Sequence, residues 1–193
     1  LNLTEGAMAG YNPEFQIPLN PWNTGRWSGA SSSGSGVATA AGLCYGSLGS
    51  DTGGSIRFPA AACGTVGIKP TWGRVSRYGV LALAESMDHI GPMTRSAADA
   101  GIMLQVLAGH DPNDPTSLAA PVPNMLEGLN DGIRGVRIGV DERYITEGVD
   151  AVVSEGVLTG IRVLEGLGAE VVSVQMPDTR EFLSAWGVLC QAE

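Results

Sequence analysis

The sequence predicts an α/β protein, and three observations predict it. Residues 96–193 read as strand and helix in alternation. Residues 28–80 are dense in Gly, Ser and Ala yet keep an apolar helical face. The composition, 44% hydrophobic and 16% charged over 193 residues, is that of a globular chain with a core.

The elements follow in chain order. Residues 1 to about 27 carry Pro13, Pro18 and Pro21 among Asn and Trp, which predicts ordered loop. Val37, Ala38, Ala40, Ala41 and Leu43 mark a helical face inside the Gly/Ser tract, so the tract is not a flexible linker. Ser96-Ala97-Ala98-Asp99 has the form of a capping box and opens a helix to about Ala108, stopped by Gly109. A connection containing Pro and Asn covers 111–133, and Val136–Val140 reads as a short buried strand. Val149, Val152, Val153, Val157, Ile161, Leu164 and Leu167 recur at helical spacing, with Gly168 at the capping position. Glu170–Met176 reads as a second strand, and Asp178 starts a further helix. This order implies at least some parallel pairing.

Charge and cysteine content narrow the function classes. The net charge is −9, and Lys69 is the single lysine among 11 basic residues. Such a chain repels phosphate backbones, so direct binding of nucleic acid is not expected. Cys44, Cys63 and Cys190 are odd in number and lie far apart, which points to a reducing compartment and away from a disulfide framework or zinc site. His89 and His110 lack metal-ligand spacing, so neither metal nor other cofactor is expected. No apolar run is long enough to span a bilayer and no signal segment opens the chain. Together these predict a cytoplasmic protein with no membrane contact.

The chemistry concentrates in two segments: Trp27-Ser28-Gly29-Ala30-Ser31-Ser32-Ser33-Gly34-Ser35-Gly36, and Gly49-Ser50-Asp51-Thr52-Gly53-Gly54-Ser55-Ile56-Arg57-Phe58-Pro59. Clustered hydroxyls sit beside glycines that let a backbone approach a ligand. Thr52-Gly53-Gly54-Ser55 can form a concave nest of N–H donors with a hydroxyl at its end, which is what acyl transfer needs. The same composition also suits tight turns and close helix packing. Competing motifs are absent: no G-x-S-x-G elbow, no G-K-[ST] phosphate loop and no G-x-G-x-x-G.

The run from Gly29 through Pro70 closely resembles the amidase signature family. Its pattern, G-G-S-S-G-G, then G-S-D-x-G-G-S-I-R-x-P-A, then C-G-x-x-G-L-K-P-T, stands here as Gly29 to Gly34, Gly49 to Ala60, and Cys63 to Thr71. The similarity continues through Gly73-Arg74-Val75-Ser76-Arg77-Tyr78-Gly79 and Asp88-His89-Ile90-Gly91-Pro92 and covers essentially the whole chain. The resemblance implies the amidase signature fold, a mixed central sheet covered by helices on both faces, of which this chain would be a partial domain. It also implies relatives such as fatty acid amide hydrolase and the A subunit of glutamyl-tRNA amidotransferase.

What the family does is carried over position by position. The resemblance implies a Ser–cis-Ser–Lys triad with Ser55 as nucleophile and Ser31 as bridging serine, 24 positions apart, and a cis Ala30–Ser31 peptide. The backbone amides around Thr52, Gly53 and Gly54 would form the oxyanion hole, each donor contributing about 2.7–4 kcal/mol in the transition state. A neutral lysine would take the Ser31 proton, Ser31 that of Ser55, and Ser55 would attack the amide carbon.

Two departures from the pattern stand out. Ala30 and Ser33 replace glycines. The catalytic lysine, which the family places well before the bridging serine, is not in this chain, because Lys69 lies downstream in the Gly-x-Lys-Pro-Thr motif and is given a structural role. Residues 1–193 are therefore expected to be the central part of a single amidase domain, inactive alone.

Several side chains keep two readings. Asp51 and Arg57 either hold the Ser55 loop as an ion pair, or Arg57 binds a substrate carboxylate. Ser32 either bonds to the triad or caps the following helix. Met8 with the Gly6-Ala7 backbone either lines an acyl pocket or packs. Ser33, Ser35 and Ser50 are read as turn and cap residues, and Trp22, Trp27 and Trp72 as core or rim packing. The expected function is an amidase that hydrolyses carboxamide C–N bonds of a small-molecule substrate through a seryl acyl-enzyme. A homodimer fits, dimers being common in the family. The alternatives are the glutaminase subunit of a tRNA-dependent amidotransferase, which would need partner subunits, and a non-catalytic homologue.

Overall fold

A computed structural model of the protein describes residues 17–193. The segment containing Gly6, Ala7 and Met8 lies outside the described residues. The elements run α1 (Ser33–Ala40), β1 (Gly46–Asp51), α2 (Arg57–Cys63), β2 (Val66–Gly67), β3 (His89–Thr94), α3 (Ala97–Leu107), β4 (Arg137–Val140), α4 (Glu142–Thr146), α5 (Ala151–Gly166), β5 (Glu170–Ser173) and α6 (Arg180–Ala192). The described residues fall into two compact units, one of residues 17–127 with 189–193 and one of residues 128–188. Helices occur with both antiparallel and parallel strand pairing, as the α/β prediction requires.

The first unit holds a three-stranded antiparallel sheet in the order β1-β3-β2. Gly46 pairs with Thr94 and Asp51 with His89, so β1 delivers Asp51 to the sheet's end, just ahead of Thr52. Neither β1 nor β3 shows in the sequence as a strand. Gly-Ser-Leu-Gly-Ser-Asp has no β-branched residue, and its pairing rests on close packing. A Cβ at Gly49 would sit 2.9 Å from both Ile56 and Ser32. Ile56, Ala60 and Met93 form one buried cluster, and Val75, Ile90 and Leu104 another, flanked by Ile68, Leu107 and Met125.

Helix α1 exists where the sequence places one, but its buried stripe is Ser33, Gly36 and Thr39. Leu43, assigned to the apolar face, is 78% exposed. The reason is the closeness of α1 to α2: at Gly36 a Cβ would lie 3.0 Å from that of Pro59. Only small residues fit that seam, so size and not hydropathy selects the inner face. Helix α3 starts as predicted, with Ser96 Oγ accepting from Asp99 N at 3.1 Å and donating to the Asp99 carboxylate at 2.7 Å. Such a cap stabilises by about 1 kcal/mol.

In the second unit β4 and β5 pair in parallel, Arg137 opposite Glu170 and Val140 opposite Ser173. The crossover between them includes α5, and Gly168, at φ +98, follows its C-cap. The strand predicted to reach Met176 ends at Ser173. The short helix α4, unanticipated, is capped by Asp141, whose carboxylate accepts from Tyr144 N.

Candidate active site

The site is built where β1 ends. The Asp51 side chain is fully buried, and its carboxylate accepts the N–H of Gly54 at 2.7 Å, of Ile56 at 3.1 Å and of Arg57 at 3.4 Å. Arg57 adds its Nε at 3.0 Å and Nη2 at 2.9 Å. One carboxylate thus folds residues 51–57 into a closed turn at the start of α2. Burial pushes the Asp51 pKa up, but the Arg57 guanidinium and the Ile56 and Gly54 amides outweigh it, and the carboxyl titrates below its usual range. With two nitrogens engaged by Asp51, Arg57 helps hold the turn as an ion pair.

The first serine segment is brought to this turn by direct backbone bonding. Ser32 N donates to Ser55 O at 3.2 Å. Ser32 Oγ donates to Ser50 O and accepts from Ser50 N, both at 3.2 Å. Ser32 therefore ties the segment to β1 and neither caps α1 nor bonds to Ser31 or Ser55 by its hydroxyl. The Ala30–Ser31 peptide bond is cis. Gly29, at φ +81, faces Pro59, where a Cβ would stand 2.4 Å from the Pro59 Cα. Only glycine allows the chain to pass that close before it turns into Ser31.

The turn does not leave all three expected oxyanion donors free. The N–H of Gly54 is committed to Asp51, whereas those of Thr52, Gly53 and Ser55 donate to no group among the described residues. Gly54 contributes by conformation instead: its φ is +136, and a Cβ would collide with the Phe58 ring. Phe58 is set 6.3 Å from Trp27, ring centroid to centroid, and Trp27 is partly exposed. Trp22 donates Nε1–H to Cys63 O at 2.7 Å, and Trp72 lies under the Arg77 guanidinium at 4.9 Å.

A cavity of about 520 Å³ adjoins the turn. Ser31, Ser50 and Thr52 line one side, and Tyr78, Val80 and Leu81 belong to its largely apolar remainder. Ser55, half-buried, is not among its lining residues. Thr52 Oγ1 donates to Asp88 Oδ1, and Asp88 Oδ2 accepts from Leu83 N at 2.7 Å and Ala84 N at 3.2 Å. In the sequence Asp88 stands out only as part of a motif; nothing in its position there shows that it reaches Thr52.

Two further titratable groups, Lys69 and His89, adjoin the turn. Lys69 Nζ donates to Pro70 O at 3.0 Å, and burial followed by the nearby Arg57 charge lowers its pKa. His89 Nδ1 faces the carbonyls of Asp51 and Met87, which can only accept, so this nitrogen carries a proton. Burial, then the charge of Lys69, keeps its pKa below the ordinary histidine value. Among the described residues no three His, Cys, Asp or Glu side chains gather as a metal site would need.

Comparison with known proteins places the chain. The family model described as Amidase matches residues 1–192. The chain is 50% identical over 195 aligned residues to the glutamyl-tRNA(Gln) amidotransferase A subunit of Synechococcus sp. (strain CC9311), covering all of this chain and 40% of that protein. In three dimensions it matches the crystal structure of the glutamyl-tRNA(Gln) amidotransferase A subunit from Thermotoga maritima with a TM-score of 0.85 and 41% identity, over 90% of this chain and 38% of that one. The native peptide amidase of Stenotrophomonas maltophilia superposes with a TM-score of 0.75 and 36% identity, over 87% of this chain and 35% of that one. The chain thus spans about two fifths of the length of the relatives it matches. With its signature segments and its fold both matched, the chain belongs to the amidase signature family.

Proposed function

We propose that this chain supplies the acyl-transfer core of an amidase, with Ser55 attacking a carboxamide carbon and Ser31 relaying its proton. The observation that carries this reading is the 3.2 Å bond from Ser32 N to Ser55 O, which joins two serine segments 23 residues apart in sequence. The amides of Thr52, Gly53 and Ser55, which have no partner among the described residues, are suited to receive the developing oxyanion. The relay ends in a lysine contributed from outside these 193 residues, since Lys69 is held at the Pro70 carbonyl. Attack forms a seryl ester and releases ammonia or amine, and water then frees the acid.

The test uses the complete protein. Ser55→Ala abolishes turnover, whereas Ser31→Ala slows it and still acylates. Mass spectrometry after reaction with a fluorophosphonate finds the adduct on Ser55; an adduct on Ser31 reverses the two roles.

A second reading, glutaminase within a tRNA-dependent amidotransferase, is favoured by the 50% identity to one such protein over the whole chain. Glutamine-derived ammonia raised by added partner subunits distinguishes it from an amidase that works alone or as a homodimer. Among the described residues no helix is long and apolar enough to cross a membrane, which suits the cytoplasmic setting of either reading.

A further inference from the structure

The contacts of Asp88 give it a role beyond the amidase reading, on which the inference rests. Asp88 is 5% exposed and, among the described residues, faces no cation. Its carboxylate is held instead by three donors: Thr52 Oγ1 on one oxygen, and the amides of Leu83 and Ala84 on the other. A buried carboxylate without a counter-ion is costly, and an apolar residue would suffice if only packing were needed.

What the three donors belong to is informative. Thr52 opens the turn whose Thr52, Gly53 and Ser55 amides have no partner among the described residues. Leu83 and Ala84 belong to the loop that forms the apolar wall of the cavity. Asp88 therefore joins the wall to the oxyanion turn through a single rigid group. We infer that Asp88 is a positioning residue, fixing Thr52, and with it the Thr52 and Gly53 amides, relative to an acyl group seated against the wall at Val80 and Leu83. Rigid placement matters here because a misalignment near 1 Å costs on the order of 100-fold in rate.

Asp88→Asn is the informative change. Its carbonyl oxygen can still accept from Leu83 and Ala84, but the amide nitrogen then faces Thr52, whose hydroxyl must reverse from donor to acceptor. The experiment measures kcat and KM for amide hydrolysis by the complete protein carrying Asp88→Asn, Thr52→Val, Thr52→Ser or the first two together. The expected result is a fall in kcat on the order of 100-fold for Asp88→Asn and for Thr52→Val, with KM changed less than threefold. Thr52→Ser, which keeps the hydroxyl, retains kcat within a few-fold, and the double variant falls no further than either single one. Should Asp88→Asn not fold, the contrast between Thr52→Val and Thr52→Ser carries the test. Losses that multiply in the double variant, a Thr52→Val enzyme with normal kcat, or an effect confined to KM overturns the inference. A wild-type protein that neither labels at Ser55 nor hydrolyses amides overturns the amidase reading itself, a result distinguishable from all of these.

Discussion

Asp51 and Arg57 meet through two bonds, Nη2 to Oδ1 at 2.9 Å and Nε to Oδ2 at 3.0 Å, with the carboxylate sealed from water and the guanidinium side chain 53% exposed. The pair is lopsided, and the asymmetry predicts which partner matters more. The carboxylate also satisfies buried backbone amides; the guanidinium satisfies only the carboxylate.

Asp51→Ala should destabilise the complete protein by about 3 kcal/mol, because the Gly54 and Ile56 amides lose their acceptor and each buried unpaired donor costs about 1–3 kcal/mol. Arg57→Ala should cost about 1 kcal/mol or less, since about half of the Arg57 side chain already faces solvent. Urea denaturation measures both. A larger loss for Arg57→Ala would mean that the ion pair, and not the amide bonds, closes the turn. Because Asp51 is depressed in the fold, its stabilisation is present above the ordinary carboxyl value near 3.9 and is lost as pH falls through the lower folded value.

His89 predicts a second pH dependence. Its folded pKa lies below the ordinary value of about 6.5, so below that pH the unfolded chain takes up a proton that the native site resists. The stability is full above about 6.5 and declines as pH drops towards the depressed folded value. His89→Asn, whose side-chain amide can still donate to the Asp51 carbonyl, should flatten the fall of Tm between about pH 6.5 and 5 relative to wild type. An unchanged slope would assign the dependence to other groups.

Two glycines on either side of the cis peptide should respond in opposite ways. Gly29→Ala places a methyl 2.4 Å from the Pro59 backbone at φ +81, and a loss of about 3 kcal/mol or more is expected. Gly34→Ala meets nothing within 4 Å on an exposed face of α1 and should stabilise by up to about 1 kcal/mol. Denaturant midpoints of the two variants decide; equal effects would contradict the close approach at Gly29.

Expressed by themselves, residues 1–193 should show no amidase activity. Lys69 is their only lysine and is engaged at the Pro70 carbonyl, and among the described residues the hydrogen bonds of His89 go to the Asp51 and Met87 carbonyls and to neither Ser31 nor Ser55. A serine relay without its base is a poor nucleophile at neutral pH. Hydrolysis of a simple aryl amide by this segment, lost on Ser55→Ala, would show that another base serves the site.

Local order is legible in the sequence wherever the signal is local. The Ser96 cap, the helical repeat from Val149 to Leu167 and the Gly168 stop need only neighbours in sequence, and each is found. The signature segments mark the two serines, and family resemblance anticipates the cis bond between Ala30 and Ser31. Tertiary structure alone decides the rest. Strand β1 is mostly glycine and serine, and β3 is interrupted by Gly91 and Pro92, so the fitness of both lies in what packs against them. The inner face of α1 is set by the distance to Pro59, a residue 23 positions beyond Gly36, and no hydropathy pattern encodes that distance. Ser32 has the chemistry to cap its helix or serve its neighbours, yet its bonds go to Ser50. Gly54 is an oxyanion donor by motif, but Asp51, three residues earlier, claims its N–H. Asp88 reaches Thr52 from 36 residues away. Sequence order registers propensity and spacing, whereas which donor finds which acceptor depends on the three-dimensional path of the chain between them.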